Sequence, residues 1–304
     1  MAQTDFSKIA TAAPALGFGA VVLWGLTPAA TELAVRVADP LAVGALRSII
    51  AAPILAVMIA IFRQSLPNGT AGWSLALLAG LGGFVGFPII FSYGLTATST
   101  AHAALIIAAA PIVTGLIGFA TQRNWPRAIW WVGAGISILG VAILIGWQEL
   151  LGLAGDGTAS LWGDLLCIAA MTAAAGGYVA GGRLSAQIGG WASMSWSLII
   201  SSVLMLPALL IVPADPYAML VGIATNPEAL WPILFLSFGG TALGYALWFR
   251  ALETGGVARI APIQFAQPLV SLIVAVVALS ESLSLDVIIA TGLILAGVAI
   301  ARRA

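Results

Sequence analysis

Charged side chains are few. Asp, Glu, Lys and Arg make up 7% of the 304 residues, where an average soluble domain carries roughly 25%. Polar groups in that number cannot cover a water-facing surface, so a soluble globule is excluded and lipid is the solvent. The 11 basic and 11 acidic residues balance, and no basic patch is present to meet nucleic acid. A single cysteine, Cys167, excludes an intramolecular disulfide and a cysteine-based metal site. A single histidine, His102, makes a hydrolase triad or a metal cluster hard to assemble. No catalytic residue, metal or cofactor is therefore expected. Gly176-Gly177 lacks the lysine of a phosphate-binding loop, which leaves gradients or a partner as the energy source.

Apolar residues are abundant: 61% of the chain is hydrophobic and the mean hydropathy is +1.10. A spanning helix needs about 20 mostly apolar residues. Turn-forming punctuation divides the chain into ten such runs: Ala15–Val35, Leu41–Phe62, Trp73–Leu95, Ala101–Thr121, Ala128–Trp147, Leu161–Gly182, Trp191–Val212, Ala229–Phe249, Ile260–Leu279 and Leu285–Ala301. The runs are continuous rather than alternating, so helices and not a barrel satisfy the backbone in hydrocarbon. The first run follows a short polar start and is long enough to span, so it is expected to stay attached and not be cleaved as a signal peptide.

With the N-terminus in the cytoplasm, the inner side receives Lys8, Arg63, Arg123, Arg127, Arg183, Arg250, Arg259, Arg302 and Arg303. The outer side receives Arg36 alone, and Arg47 falls within the second run. That bias sets the orientation and puts both termini in the cytoplasm. The outer connections are acidic, with Asp39, Glu149, Asp156, Asp215, Glu228, Glu281 and Asp286. Trp73, Trp125, Trp147, Trp162, Trp191 and Trp231 sit at run ends, where an indole favours the lipid–water interface. Trp24 and Trp196 fall inside runs and need another explanation.

One stretch occurs twice. Gly82 and Gly86 recur as Gly240 and Gly244 at an offset of 158, and Phe87 falls on Tyr245 in the same register. At an offset of 157, Pro111 falls on Pro268, Gly135 on Gly292, and Gly140-Val141 on Gly297-Val298. This register marks an internal duplication, with residues 1–150 as one five-helix repeat and 151–304 as the other. Five is odd, so the second copy enters the membrane in the opposite sense. The expected fold class is an all-α polytopic membrane protein: ten transmembrane helices as two inverted five-helix repeats around a central cavity. Inverted repeats are a common construction of secondary transporters, with the site near the midplane between the halves. Close-packing glycines and matched breaks at Pro111 and Pro268 fit that use. Pro28, Pro53, Pro88, Pro207 and Pro262 are expected to break helices as well.

The ten runs, Trp24-Gly25, the paired Pro111 and Pro268, and the closing glycine-valine pattern at Gly135–Val141 and Gly292–Val298 resemble the drug/metabolite transporter superfamily, EamA type. The resemblance covers nearly the whole chain and rests on the order of its motifs. It implies a bacterial inner-membrane exporter of amino acids and other metabolites, similar to the amino-acid exporter group that includes YddG. That group carries aromatic residues just before the fourth-helix proline. Here the stretch is Ala108-Ala109-Ala110, which implies a wider pocket or a different substrate.

Ionisable groups at membrane depth are costly and default to functional candidates. Glu32 and Arg36 stand four apart and can pair across one turn near the headgroups; Glu32 is alternatively a proton carrier. Arg47 lies deeper, where it can bind a substrate carboxylate or pair with an acid such as Glu32. His102 opens the fourth helix near the outer surface, as an interfacial polar group or a proton-coupling one. Gln264 and Gln267 stand three apart before Pro268, and their amides either join helices or line a polar cavity. Trp24, Phe87, Tyr178, Tyr245, Trp248 and Phe265 are the aromatic candidates for a pocket wall, with an interfacial anchor as the alternative for Trp248. The reading is a carrier of small polar metabolites, amino acids foremost, working by alternating access in the lipid bilayer. Its rivals are a carrier for another metabolite or a lipid-like solute, and a membrane scaffold or receptor that transports nothing.

Overall fold

The computed structural model describes residues 2–123, 125–150 and 160–303, and among these it is helical with no strand. Among the described residues nine helices are long and apolar enough to cross a membrane: Ala12–Val35, Pro40–Ile61, Gly69–Leu95, Thr100–Thr121, Ala128–Gly146, Leu161–Ile188, Gly190–Ile211, Pro227–Gly255 and Pro262–Leu279. The tenth, Leu285–Ala301, is shorter at 17 residues but equally apolar. We number these ten in chain order. The first helical stretch begins at Ala2, well before the expected Ala15, and the sixth runs on to Ile188. A further apolar helix, Pro216–Thr225, fills the connection between the seventh and eighth spans. The Asp215 carboxylate accepts the Ala218 N–H at its start.

Helix interruptions coincide only partly with the prolines. The first span breaks at Leu26, with Pro28 opening its second half, Thr27–Val35. The fourth breaks at Ala109, with Pro111 in the first turn of Ala110–Gln122. The ninth begins as a 3₁₀ turn, Ala261–Ala266, containing Pro262, and becomes α-helical at Gln267-Pro268. The third and eighth spans each contain a π-helical stretch, Leu81–Gly86 and Phe235–Leu243, with Pro88 following the first. Pro53 and Pro207 lie inside helices that continue through them, contrary to expectation. Each removes one backbone bond without interrupting its helix.

The helices pair in a pattern that survives exchanging the first five with the last five. The first packs on the eighth and the sixth on the third; the first also meets the ninth, and the sixth the fourth. The third meets the seventh and the second the eighth. The second–seventh and fifth–tenth pairs map onto themselves. Backbone-to-backbone approach at glycine makes these contacts. A side chain at Gly82 would strike the Ala173 carbonyl, and one at Gly177 would strike the Gly83 amide. The fifth and tenth helices, glycine-rich enough to suggest a surface for pairing copies, instead pack against each other within one chain. There Gly133 and Gly297 each face the other's carbonyl region.

The exposed residues sort by position. Arg63, Arg123, Arg127, Arg183, Arg250, Arg302 and Arg303 are all exposed. Trp125, Trp162 and Trp231 are exposed by 85%, 65% and 68%, as interface anchors require. Trp196 donates Nε1–H to the Ser65 carbonyl at 3.0 Å and meets Trp73 edge-on, which accounts for its place inside a span. Asp286 is buried in the first turn of the tenth helix, and among the described residues one of its oxygens has no hydrogen-bond partner, so it is a helix residue and not part of an outer connection. Expectations resting on the side chains of Lys8, Trp147 and Glu149, and on Asp156, fall outside what the structure describes.

The fifth–tenth contact predicts a contrast among glycines. Gly133→Leu and Gly297→Leu should each destabilise the fold by about 1–3 kcal/mol or more through overpacking. Gly135→Leu and Gly292→Leu, which point into open space, should be near neutral. Thermal unfolding in detergent distinguishes the pairs, and equal shifts for all four would refute the packing described.

Candidate functional site

A cavity of about 600 Å³ lies between the two sets of five helices. That is an ordinary size for a small-molecule site. Its wall takes Trp24, Phe87, Tyr178, Tyr245, Trp248, Gln264, Phe265 and Gln267 together, along with Arg47, Pro111 and Pro268. Trp248 is 8% exposed and packs against Trp24, so it is a wall residue and not an interfacial anchor. Glu32 and His102 are absent from the wall.

Local backbone irregularity positions the wall. In the π stretch of the eighth span, the Gly240 carbonyl turns outward and accepts Trp24 Nε1–H at 2.9 Å. A side chain at Gly244 would occupy the space of that indole, so the second glycine pair seats an aromatic ring where the first seats a helix backbone. Trp24 then meets Tyr245 edge-on at 5.1 Å and Trp248 at 5.4 Å. The same π stretch places the Thr241 hydroxyl, which donates to the Leu236 carbonyl at 2.9 Å and accepts Arg47 Nε–H at 3.3 Å. The Arg47 guanidinium also lies 5.9 Å from the centroid of the Phe87 ring. Glu32 is not its partner. In the third span's π stretch the Phe84 carbonyl likewise accepts a neighbour's hydroxyl, that of Ser48, at 3.1 Å. π-turns of this kind cluster at functional sites because they free carbonyls.

The breaks at Pro28, Pro111 and Pro268 frame the middle of the cavity. The Trp24 carbonyl, which Pro28 leaves without its helical donor, accepts the Thr27 hydroxyl at 2.7 Å. The Gly25 carbonyl accepts from Ser271 at 2.8 Å, tying the first break to the ninth helix. Gln264 and Gln267 stand on this frame, and among the described residues no neighbouring helix bonds their side-chain amides. That arrangement matches cavity lining and not helix joining. The alanines at 108 and 110 leave the fourth-helix wall low.

The cavity lining on the fourth helix stops at Ala104, and the turn before it, residues 100–103, is buried, which closes this end. The first turn of the fourth helix offers its Thr100 and Ala101 N–H groups to the Glu281 carboxylate at 2.9 and 3.0 Å. The Thr100 hydroxyl donates to Glu32, which also pairs with Arg36. Asp164 accepts from the Thr98 hydroxyl and faces His102 Nδ1 at 3.0 Å. Glu32 and His102 thus flank the closed end instead of lining the cavity. His102 is buried at 2% exposure and is no interfacial group. Sequence reasoning missed Asp164, an acid plainly visible inside an apolar run, and missed Thr241, whose hydroxyl is ordinary until the π-turn aims it. At the other end the wall reaches Arg302, an exposed residue whose guanidinium lies over the Phe265 ring at 4.4 Å. Among the described residues no three His, Cys, Asp or Glu side chains gather closely enough to hold a metal.

The EamA-like transporter family model matches residues 11–146 and 161–303. The chain belongs to that family. An uncharacterized transporter of Bacillus subtilis, YdeK, is 30% identical over 287 residues, spanning 94% of this chain and 96% of the relative. An uncharacterized transporter of Archaeoglobus fulgidus is 26% identical across 93% of this chain and 96% of its own length. A WAT1-related chloroplastic protein of Arabidopsis thaliana is 26% identical over 86% of this chain, which spans 62% of that longer protein. A solved crystal structure superposes with a TM-score of 0.64 at 21% identity, covering 96% of this chain and 98% of the other. The EamA fold accordingly accounts for the all-helical polytopic architecture.

The closed end of this EamA protein carries a pH dependence. Burial raises the Glu281 carboxyl above the ordinary glutamate range, the N–H groups of Ala101 and Thr100 offset part of that rise, and the neighbouring Glu32 adds to it. The folded state therefore holds this proton more tightly than the unfolded chain. Its contribution to stability is fully present below the ordinary glutamate value and is lost as pH rises through the raised one. The melting temperature of the wild type relative to Glu281→Gln should fall as pH is raised across that interval. A difference that stays flat with pH would count against the assignment.

Proposed function

We propose that the chain is a secondary carrier that exports small polar metabolites, amino acids foremost, by alternating access. In this reading residues 1–150 and 151–304 are inverted repeats, and the cavity between them is the cargo site. The observation that carries it is a chamber lined by both halves that reaches the exposed Arg302 and stops short of the contacts among Glu32, Thr100 and Glu281. A static scaffold gains nothing from a chamber so placed. The exchange of packing partners between the halves supports the repeat, because two equivalent packings are what let one half adopt the other's pose. Arg63, Arg123, Arg127, Arg183, Arg250, Arg302 and Arg303 are exposed, against Arg36 beside Glu32; the positive-inside bias supports reading the Arg302 end as cytoplasmic and the conformation as inward-facing. Both termini then lie in the cytoplasm of a bacterial-type inner membrane.

Trp24, Phe87, Tyr178, Tyr245, Trp248 and Phe265 provide stiff apolar walls, and Gln264 and Gln267 provide groups that both donate and accept. Opening toward the outside requires the Glu281–fourth helix contact to part, so Glu32, Glu281 and His102 are the groups through which protons would act on the cycle.

Two measurements test this reading. Purified protein in liposomes should catalyse saturable exchange of one or more labelled amino acids, and Gln267→Leu should reduce exchange at least tenfold while its melting temperature stays near that of the wild type. Exchange of no amino acid moves the cargo to another metabolite class, and normal exchange by Gln267→Leu removes that residue from the site. Independently, in a Cys167→Ser background, Arg123→Cys should react with an impermeant reagent only from the cytoplasmic side. Labelling from outside would reverse the orientation.

A further inference from the structure

Among the described residues the cavity wall carries positive charge and no negative charge. Its charged side chains are Arg47 and Arg302, and no Asp or Glu is among the lining residues. The nearby acids are engaged elsewhere: Glu32 with Arg36 and Thr100, Glu281 with the start of the fourth helix, and Glu253 with Arg250. Arg47 is the deeper of the two arginines, on the second span between the π stretch of the eighth and the Phe87 ring. Its Nε–H goes to Thr241, and Phe87 contributes only a ring face. Both are neutral. Arg47 is half-buried, and a guanidinium at membrane depth matched only by neutral groups is costly. Such a cost is offset when an anion arrives, and a guanidinium fork fits a carboxylate through two parallel bonds. Among the described residues the two terminal nitrogens of Arg47 bond to no protein group, so that edge remains available toward the chamber.

The other walls complete the selection. Trp24, Tyr245 and Trp248 form an aromatic surface, and Phe87 stacks on Phe91 at 5.2 Å, which fixes its ring. These surfaces suit an apolar or flat body. A cargo ammonium finds no carboxylate here, only ring faces and amide oxygens.

We propose that Arg47 is the anion-recognition residue of the cavity and that the cargo is a small organic acid, held by its carboxylate with its apolar body against the Trp24–Tyr245–Trp248 wall. This rests on the carrier reading and narrows its substrate class. Amino acids are held by their carboxylate end, and acids lacking the ammonium fit at least as well.

The test reads the cavity's charge preference without knowing the cargo. Ala108 lines the cavity and accepts a reporter thiol, as Ala108→Cys in the Cys167→Ser background. Its modification rates by an anionic sulfonatoethyl and a cationic trimethylammonioethyl methanethiosulfonate are measured in purified protein, each divided by the rate with free 2-mercaptoethanol. The ratio of the two cancels any change in the thiol's own reactivity. The anionic reagent should be favoured by about tenfold, the scale of an enclosed site lined by one sign of charge. Adding Arg47→Gln should lower the ratio at least threefold, leaving only what Arg302 contributes, and Arg47→Lys should largely preserve it. A ratio near one in the parent, or one unchanged by Arg47→Gln, overturns the proposal. If Arg47→Gln does not fold, the parent ratio and Arg47→Lys still decide. Liposome exchange remains a separate measure, so loss of the charge preference alone leaves the carrier standing with another cargo.

Discussion

Hydrocarbon offers no hydrogen bonds, so each carbonyl released from a helix must find a donor within the protein. This constraint shapes the centre of the molecule. Where the first span breaks, Thr27 and Ser271 supply the missing bonds to Trp24 and Gly25. Where the third and eighth spans widen into π-turns, Ser48 and Trp24 supply them to Phe84 and Gly240. Each repair comes from a side chain on a neighbouring turn or helix. The irregular backbone is thus tied to the packing around it, and the groups that satisfy it are the ones that build the cavity. Trp24 is the clearest case: one indole closes a π-turn and forms the wall against which cargo would lie.

The same constraint separates the two ends. At the closed end, the first N–H groups of the fourth helix are orphan donors that require acceptors. They find Glu281, a residue from the connection between the last two spans. The contact is favoured by the helix dipole as well as by charge-assisted bonding. It joins the fourth helix to the ninth–tenth connection, while Glu32 adds the first helix through Thr100. A few polar bonds at a helix start therefore hold elements of both halves together, whereas the broad contacts along the helices are apolar and glycine-mediated. Bonds of this kind can exchange partners or a proton without disturbing the core. In an alternating-access cycle, these are the contacts expected to break and reform.

Much of the architecture was legible in the chain. Long apolar runs between turn-forming residues set ten helices because lipid permits few alternatives, and arginine placement separated the ends. The aromatic and amide candidates Trp24, Phe87, Tyr178, Tyr245, Trp248, Gln264, Phe265 and Gln267 could be named because such groups are conspicuous in an apolar sequence. The acidic groups were harder. Glu281 and Asp286 both read as acids of the outer connections, yet one caps the fourth helix and the other is buried in the first turn of the tenth. Asp164 was passed over although it stood in plain view. The role of a carboxylate depends on which helix ends approach it, and that is not a local property.

The sequence alone determined the class of the molecule and the ten apolar runs that become its main helices, because hydropathy and backbone satisfaction act along the chain within one helix at a time. It also named the prolines, but could not say which would interrupt: Pro28, Pro111 and Pro268 mark breaks, while Pro53 and Pro207 ride within continuous helices. Only the tertiary structure decided that, since a freed carbonyl produces a break or is absorbed according to the neighbour it meets. It also decided that Arg47 faces Thr241 and Phe87 instead of Glu32, and that Glu32 and His102 stand at a closure and not in the cavity. Those choices depend on contacts between residues as far apart as Thr100 and Glu281. Nothing in the local sequence specifies such a distance until the helices have packed.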